Sequence, residues 1–201
     1  MSEKKQISPD DDGDLVERCR KGQLDAFESL VIKYQKKMLN IAFRTVGNYE
    51  DACEVVQDAF FSAYSGIQRF EGRSSFSTWL CAIVINTSRN RLEQMKTAAR
   101  HLQFSLDDPI ATEDGNVRIE LASDSPSALK QLENKDLRRQ VQRCIDALEE
   151  EFREVLVLRD IQGFSYDEIS DIIKVAQGTV KSRIFRARET MKKCLKEVIG
   201  D

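Results

Sequence analysis

The apolar residues of this chain recur every three or four positions, and no long run of Val, Ile and Thr alternates with polar residues. That period lines one face of an α-helix, whereas a half-buried strand needs a period of two. Breakers are scarce, with three prolines and nine glycines in 201 residues. An all-α fold without a sheet is therefore expected. Residues 25–48, "DAFESLVIKYQKKMLNIAFRTVGN", carry Phe27, Leu30, Val31, Tyr34, Met38 and Ile41 at helical spacing. Residues 49–64, "YEDACEVVQDAFFSAY", do the same with Ala52, Val55, Val56, Ala59, Phe60 and Ala63. Two such stripes predict a shared core rather than a ligand pocket.

Charge divides the chain. Residues 1–100 hold 15 basic and 14 acidic groups, 101–126 hold one and six, and 127–201 hold 15 and 14. The middle piece contains two of the three prolines and no helical period, which predicts an acidic, flexible linker over 97–126. The expected organisation is a disordered tail over 1–13, a helical domain over 14–96, the linker, and a second small helical domain over 127–201. No run of about 18 apolar residues occurs, so neither a membrane span nor an export signal is expected, and the cytoplasm is the expected location. The cysteines Cys19, Cys53, Cys81, Cys144 and Cys194 lie far apart with no CxxC pair, and His101 is the single histidine. Unpaired thiols and no zinc site are expected. With no P-loop and no Gly-rich phosphate fingerprint, the residues suggest neither an enzyme nor a bound cofactor.

The formal net charge is -3, yet residues 174–196 hold eight basic groups and one acid. Here "GFSYDEIS" is followed by "KVAQG" and "GTVKSRIFRARE". Gly163 suits the end of a preceding helix, and Ser165 with Glu168 forms the pattern of a capping box, so a short helix should start at Ser165. A second helix should start near Gly178 or Thr179. Its apolar stripe is Val180, Ile184, Ala187, Met191 and Cys194, and packs on the first helix. Opposite lie Ser182, Phe185 and Arg186, with Lys181, Arg183 and Arg188 on the flanks. A helix-turn-helix that sets its second helix into a DNA major groove has this make-up. Arg186 can donate two bonds to guanine and Phe185 can meet a thymine methyl, while Lys181, Arg183 and Arg188 suit phosphates.

"GFSYDEIS" with "GTVKSRIFRARE" closely resembles the fourth conserved region of bacterial sigma-70-type transcription initiation factors, in the extracytoplasmic-function (sigma-E-like) group. Residues 147–163, "ALEEEFREVLVLRDIQG", resemble the helix pair before it. Relatives often have a proline where Glu149 or Glu150 stands. The resemblance implies that Thr179, Lys181, Ser182, Arg183, Phe185, Arg186 and Arg188 contact the minus-thirty-five element.

The first half fits the same family. Residues 49–64 resemble its region 2.2, which docks on the clamp helices of core RNA polymerase. This implies a docking surface of Asp51, Glu54, Gln57 and Asp58, with Phe61 as an apolar anchor. Residues 70–100, "FEGRSSFSTWLCAIVINTSRNRLEQMKTAAR", interleave aromatics with polar and basic groups, as single-stranded nucleic acid requires. Taken alone, Phe76 and Trp79 read as core residues more readily than as base platforms. The pattern F-x-G-x-S-x-F-x-T-W-L resembles regions 2.3 and 2.4, which open the minus-ten element and hold a flipped base. By that resemblance Phe70, Ser74, Ser75, Phe76, Thr78 and Trp79 form the loop and helix start. Asn86 and Asn90 offer amide edges, and Arg89 and Arg91 hold phosphates. Cys81 and Ala82 stand where relatives often place an aromatic and a basic residue.

The resemblance implies an alternative sigma factor that binds core RNA polymerase and promoter DNA, both duplex and single-stranded, and is held inactive by an anti-sigma factor. The alternative from the residues alone is a self-sufficient dimeric helix-turn-helix regulator.

Overall fold

The structure is a computed structural model that describes residues 12–103 and 128–199. These form α1 (Gly13–Arg20), α2 (Leu24–Val46), α3 (Tyr49–Gly66), α4 (Phe76–Gln103), α5 (Ala128–Asp146), α6 (Glu150–Leu156), α7 (Tyr166–Ile173) and α8 (Gln177–Ile199). A 3-10 turn, Ile67–Arg69, follows α3, and α6 runs into a π-helical turn, Val157–Ile161. Among the described residues there is no strand, as the apolar period requires.

Local chemistry sets several boundaries. Gly47 ends α2 in the left-handed region (φ 81°), and its N–H donates to the Phe43 carbonyl at 2.8 Å. The next residue, Asn48, starts α3 by accepting the Asp51 N–H on its side chain at 3.1 Å. The adjacent pair thus turns the chain between two antiparallel helices. Asp12 lies inside the expected tail but is buried: Tyr34 donates its hydroxyl to the carboxylate, and Lys33 Nζ lies 2.6 Å from it. Residues 12 and 13 therefore belong to the fold, while the rest of the expected tail, 1–11, lies outside the described residues. Helix α4 continues to Gln103, past the expected linker start at 97, because "TAARHLQ" contains neither glycine nor proline to stop it. The remaining linker, 104–126, also lies outside the described residues, as does 127, the first residue of the expected second domain.

Leu30, Met38, Ile41, Leu80 and Ile85 are fully buried at the centre of the α1–α4 bundle. The same cluster takes in Val155, Leu158, Phe164, Ile169 and Ile172, so the two helical halves share one apolar contact region. Polar contacts reinforce it. Arg153 Nη1 donates to the Thr45 carbonyl at 2.8 Å, Gln162 Nε2 to Asn40 Oδ1 at 2.7 Å, and the Lys37 ammonium sits 4.3 Å from the Phe164 ring centroid.

A second, smaller core joins α5, α6 and α8 through Cys144, Ile145, Leu148, Val157, Ala187 and Met191. Here one expectation fails. Cys144 and Cys194 form a disulfide with their Cα atoms 5.8 Å apart, leaving Cys19, Cys53 and Cys81 free. The two residues are 50 positions apart, and only the packing of α5 on α8 brings them together.

Helix α7 has only eight residues and depends on its cap. The Ser165 side chain accepts the Glu168 N–H, and the Glu168 carboxylate accepts the Ser165 N–H. Ser165→Ala is expected to lower stability by about 1 kcal/mol. Urea denaturation checks this, and an unchanged midpoint would show that the cap contributes nothing.

Candidate nucleic-acid interface

The turn between α7 and α8 is tight because Lys174 ends α7 in the left-handed region (φ 58°) and Ser170 Oγ donates to the Val175 carbonyl at 2.5 Å. Helix α8 then starts at Gln177, just before the expected Gly178. Val180, Ile184, Ala187 and Met191 are buried, so the predicted stripe faces inward. Its N-terminal part joins the core containing α7, whereas Ala187 and Met191 pack in the core of α5 and α6.

The outward face carries the expected pair. Phe185 is 68% exposed and Arg186 is exposed beside it. Lys181 is exposed, with Nζ 5.8 Å from the Tyr166 ring centroid, and Ser182 Oγ donates to the Thr179 carbonyl at 2.9 Å. Thr179 is half-buried. The flanking arginines, expected at phosphates, are paired with carboxylates in this structure. Arg183 Nη2 donates to Glu151 at 2.5 Å, and Arg188 makes two bonds to Asp160 at 2.9 and 2.5 Å. The bond to Asp160 raises the Arg188 pKa above its ordinary value. These carboxylates take one nitrogen of Arg183 and two of Arg188, so a phosphate would meet the remaining N–H groups or compete for the paired ones. Among the described residues Arg186 forms no salt bridge.

The loop before α4 is built on aromatics. Phe70 packs at a tilt on Trp79 with ring centroids 4.9 Å apart and meets Phe76 edge-on at 6.1 Å, while Tyr34 lies 5.7 Å from Phe76. Phe70, Phe76 and Thr78 are buried, which corrects their assignment as groups that meet DNA directly. They hold the loop instead. Ser75 Oγ accepts the Thr78 N–H at 3.1 Å and so caps α4. Trp79 and Ser74 are half-buried and Ser75 is exposed. Asn86 and Asn90, one turn apart, are both exposed on α4.

Arg89 and Arg91 of α4 are again paired. Arg89 donates twice to Glu154, at 2.6 Å each, and the Glu154 side chain is only 4% exposed. These bonds raise the Arg89 pKa. Arg91 is held by Asp51 and by Glu54 at 2.8 Å. Asp51, expected on the docking surface, is therefore turned into an internal pair and is largely buried. Glu54, Gln57 and Asp58 remain exposed, as does Phe61 at 73%. Beside Phe61, the sequence reading missed Tyr64, an exposed ring three residues on that packs edge-on against Phe27 at 5.0 Å. Its place one helical turn from Phe61 was the available signal.

Residues 30–97 match the sigma-70 region 2 family and residues 138–191 match sigma-70, region 4. The RNA polymerase sigma-H factor of Pseudomonas aeruginosa is 34% identical over 195 residues, spanning 97% of this chain and 99% of that protein. The ECF RNA polymerase sigma-E factor of Escherichia coli is 39% identical over 184 residues, spanning 88% and 90%. This chain belongs to the sigma-70 family, in its extracytoplasmic-function group.

Two solved structures share the fold of this sigma factor. CnrH in complex with the cytosolic domain of CnrY superposes with a TM-score of 0.64 at 24% identity, over 92% of this chain and 97% of that one. The sigma factor RpoE in complex with the anti-sigma factor NepR, from Bartonella quintana, gives 0.65 at 24% identity, over 85% and 96%. In this sigma factor the region 2 match spans most of α2, all of α3 and most of α4, and the region 4 match runs from within α5 into α8. The family works as a non-enzymatic initiation factor. Among the described residues no helix is long and apolar enough to cross a membrane, and no acid, His and Cys group is placed to hold a metal ion. The sequence reading also missed an apolar groove of about 550 Å³ between α5, α6 and α8, lined by Val141, Ile145, Leu156 and Leu195. Its residues come from separate helices, so no local pattern marks it.

Proposed function

We propose that this alternative sigma factor docks on the clamp helices of core RNA polymerase through α3 and reads promoters with two modules, in the cytoplasm and without covalent chemistry of its own. The observation that carries this reading is the outward pair Phe185 and Arg186 on a capped helix-turn-helix, in one chain with the exposed amides Asn86 and Asn90. Residues 14–96 form the module that opens the minus-ten element. Residues 127–201 form the one that reads the minus-thirty-five element, and the acidic linker joins them by effective concentration. In the first module Ser74, Ser75 and Trp79 border the flipped base, Asn86 and Asn90 bond the strand, and Arg89 and Arg91 take phosphates once released. In the second, Thr179, Lys181, Ser182, Arg183 and Arg188 position α8 on the backbone.

Docking rests on Glu54, Gln57, Asp58 and Phe61, with Tyr64 extending the apolar part. An anti-sigma factor holds the chain inactive, as the anti-sigma factor NepR accompanies one of the two fold relatives, and the apolar groove of the C-terminal half offers such a partner a seat.

The test is run-off transcription with core polymerase on a promoter library, where the wild type is expected to select a defined set of start sites. Phe61→Ala is expected to weaken association with core polymerase about tenfold, since a well-buried aromatic anchor contributes 1 kcal/mol or more. Titration of labelled protein with core polymerase measures it. Tight palindrome binding without polymerase, and no transcription with it, would replace this reading by that of a self-sufficient regulator.

A further inference from the structure

The loop between α3 and α4 is pinned at its far end by its own cap, since Ser75 Oγ accepts the Thr78 N–H at 3.1 Å. Its near end is Phe70, whose N–H closes the 3-10 turn on the Ile67 carbonyl at 3.2 Å. Only Glu71, Gly72, Arg73 and Ser74 lie between, so the placing of the two ends dictates the path of the loop. What fixes Phe70 comes from another helix. Arg20, the last residue of α1, donates from Nη2 to the Phe70 carbonyl, and Gln68 Nε2 returns a bond to the Arg20 carbonyl at 2.7 Å. The other end of α1 reaches the same scaffold. Its N-cap, Asp12, accepts the Tyr34 hydroxyl, and the Tyr34 ring lies 5.7 Å from Phe76, which meets Phe70 edge-on. Between the two ends, Val16 and Cys19 are buried in the core of the bundle. Helix α1 thus spans the aromatic platform of the loop, with a polar hold at each end and an apolar face between.

We propose that α1 is a brace for the minus-ten loop and that Arg20 is its positioning residue: it touches no base, and it fixes where Ser74, Ser75 and Trp79 present themselves to one. The inference rests on the sigma-factor reading above. The family match begins at residue 30, so α1 lies outside the segment to which that reading assigns a role. Stability alone accounts poorly for Arg20. Its Nε is buried and finds no hydrogen-bond partner among the described residues, an arrangement that costs stability. A site that captures an extruded base needs its contacts placed beforehand, because the unstacking cost is offset only when ring and polar groups meet the base in register. Without Arg20 the Phe70 carbonyl loses its hold and turns to water. The loop then has one pinned end instead of two, and the contact of Phe70 with Trp79 at 4.9 Å loosens with it.

The test is run-off transcription by core polymerase with the full-length protein, on a promoter from the library whose minus-ten bases are replaced in turn, on each strand, by an abasic site. For the wild type the position of largest loss marks the flipped base, and that loss is expected to be about tenfold, the scale of one base stacked on a ring. Arg20→Met keeps the length of the side chain and removes its donors. The loss at that position is then expected to shrink to about twofold, with association with core polymerase unchanged. Arg20→Lys still offers a donor to the carbonyl and is expected to keep most of the wild-type loss. A fall in stability by itself lowers transcription from intact and abasic promoters alike and leaves their ratio unchanged. Arg18→Met is the control: it removes the same charge from α1 at a residue paired with Asp25, and is expected to change the ratio less than about twofold. If Arg20→Met melts early by circular dichroism, Gln68→Ala takes its place, removing the returning bond from an exposed side chain, with a loss of about fourfold expected. A ratio equal to the wild type's in the variant tested, an equal change in Arg18→Met, or a wild type indifferent to every abasic site overturns the inference while transcription with core polymerase leaves the sigma-factor reading intact. Failure of the wild type to transcribe with core polymerase overturns both.

Discussion

Reducing the disulfide between Cys144 and Cys194 is expected to lower the stability of the C-terminal helices by about 4 kcal/mol. The bond closes a loop across a separation of 50 residues, and removing it restores that much chain entropy to the unfolded state. The loop includes α6, α7 and most of α8, so the helix-turn-helix is the part held. Thiol titration separates the states. Unreduced native protein is expected to show one reactive thiol, the exposed Cys53, and three after unfolding, when Cys19 and Cys81 become accessible. Five are expected after reduction. Burial pushes the Cys81 thiol well above its ordinary pKa, so it stays unreactive while the fold persists. Denaturation with and without reductant measures the stability, and Cys144→Ala with Cys194→Ala should match the reduced wild type. Five thiols in the unreduced, unfolded protein would remove the premise.

Arg186→Ala is expected to reduce discrimination at the minus-thirty-five element by about 1 to 3 kcal/mol, roughly 5- to 150-fold, without changing association with core polymerase. Arg186 is the arginine on this face that makes no salt bridge among the described residues, so its guanidinium is available for two bonds to a guanine. Arg183→Ala should behave differently. Its loss leaves Glu151 without a partner and removes at most a phosphate contact, so binding should weaken evenly across sequences. Run-off transcription on the promoter library measures both, and unchanged promoter choice in Arg186→Ala would remove that residue from the reading role.

Much of the fold could be read from the chain because its signals act over a few residues. The Ser165 capping box and the stripe from Val180 to Met191 each depend on neighbours within one or two turns. Outward exposure of Phe185 follows from the same wheel that buries Ile184. The aromatic loop was harder. Phe70 and Phe76 sit in a pattern compatible with stacking on bases, and only their packing against Tyr34 and Trp79 makes them core.

By itself, then, the sequence determined an all-helical chain with a capped helix-turn-helix, an exposed phenylalanine and arginine on the outward face of its second helix, and membership of the sigma-70 family. Tertiary structure alone decided which charges are free. Arg89 meets Glu154 across 65 residues, Arg183 meets Glu151 across 32, and Cys144 meets Cys194 across 50. Helical period and capping are local, short-range interactions along the backbone. Ion pairs and disulfides form wherever packing brings their partners together, and that placement appears only when the helices are assembled.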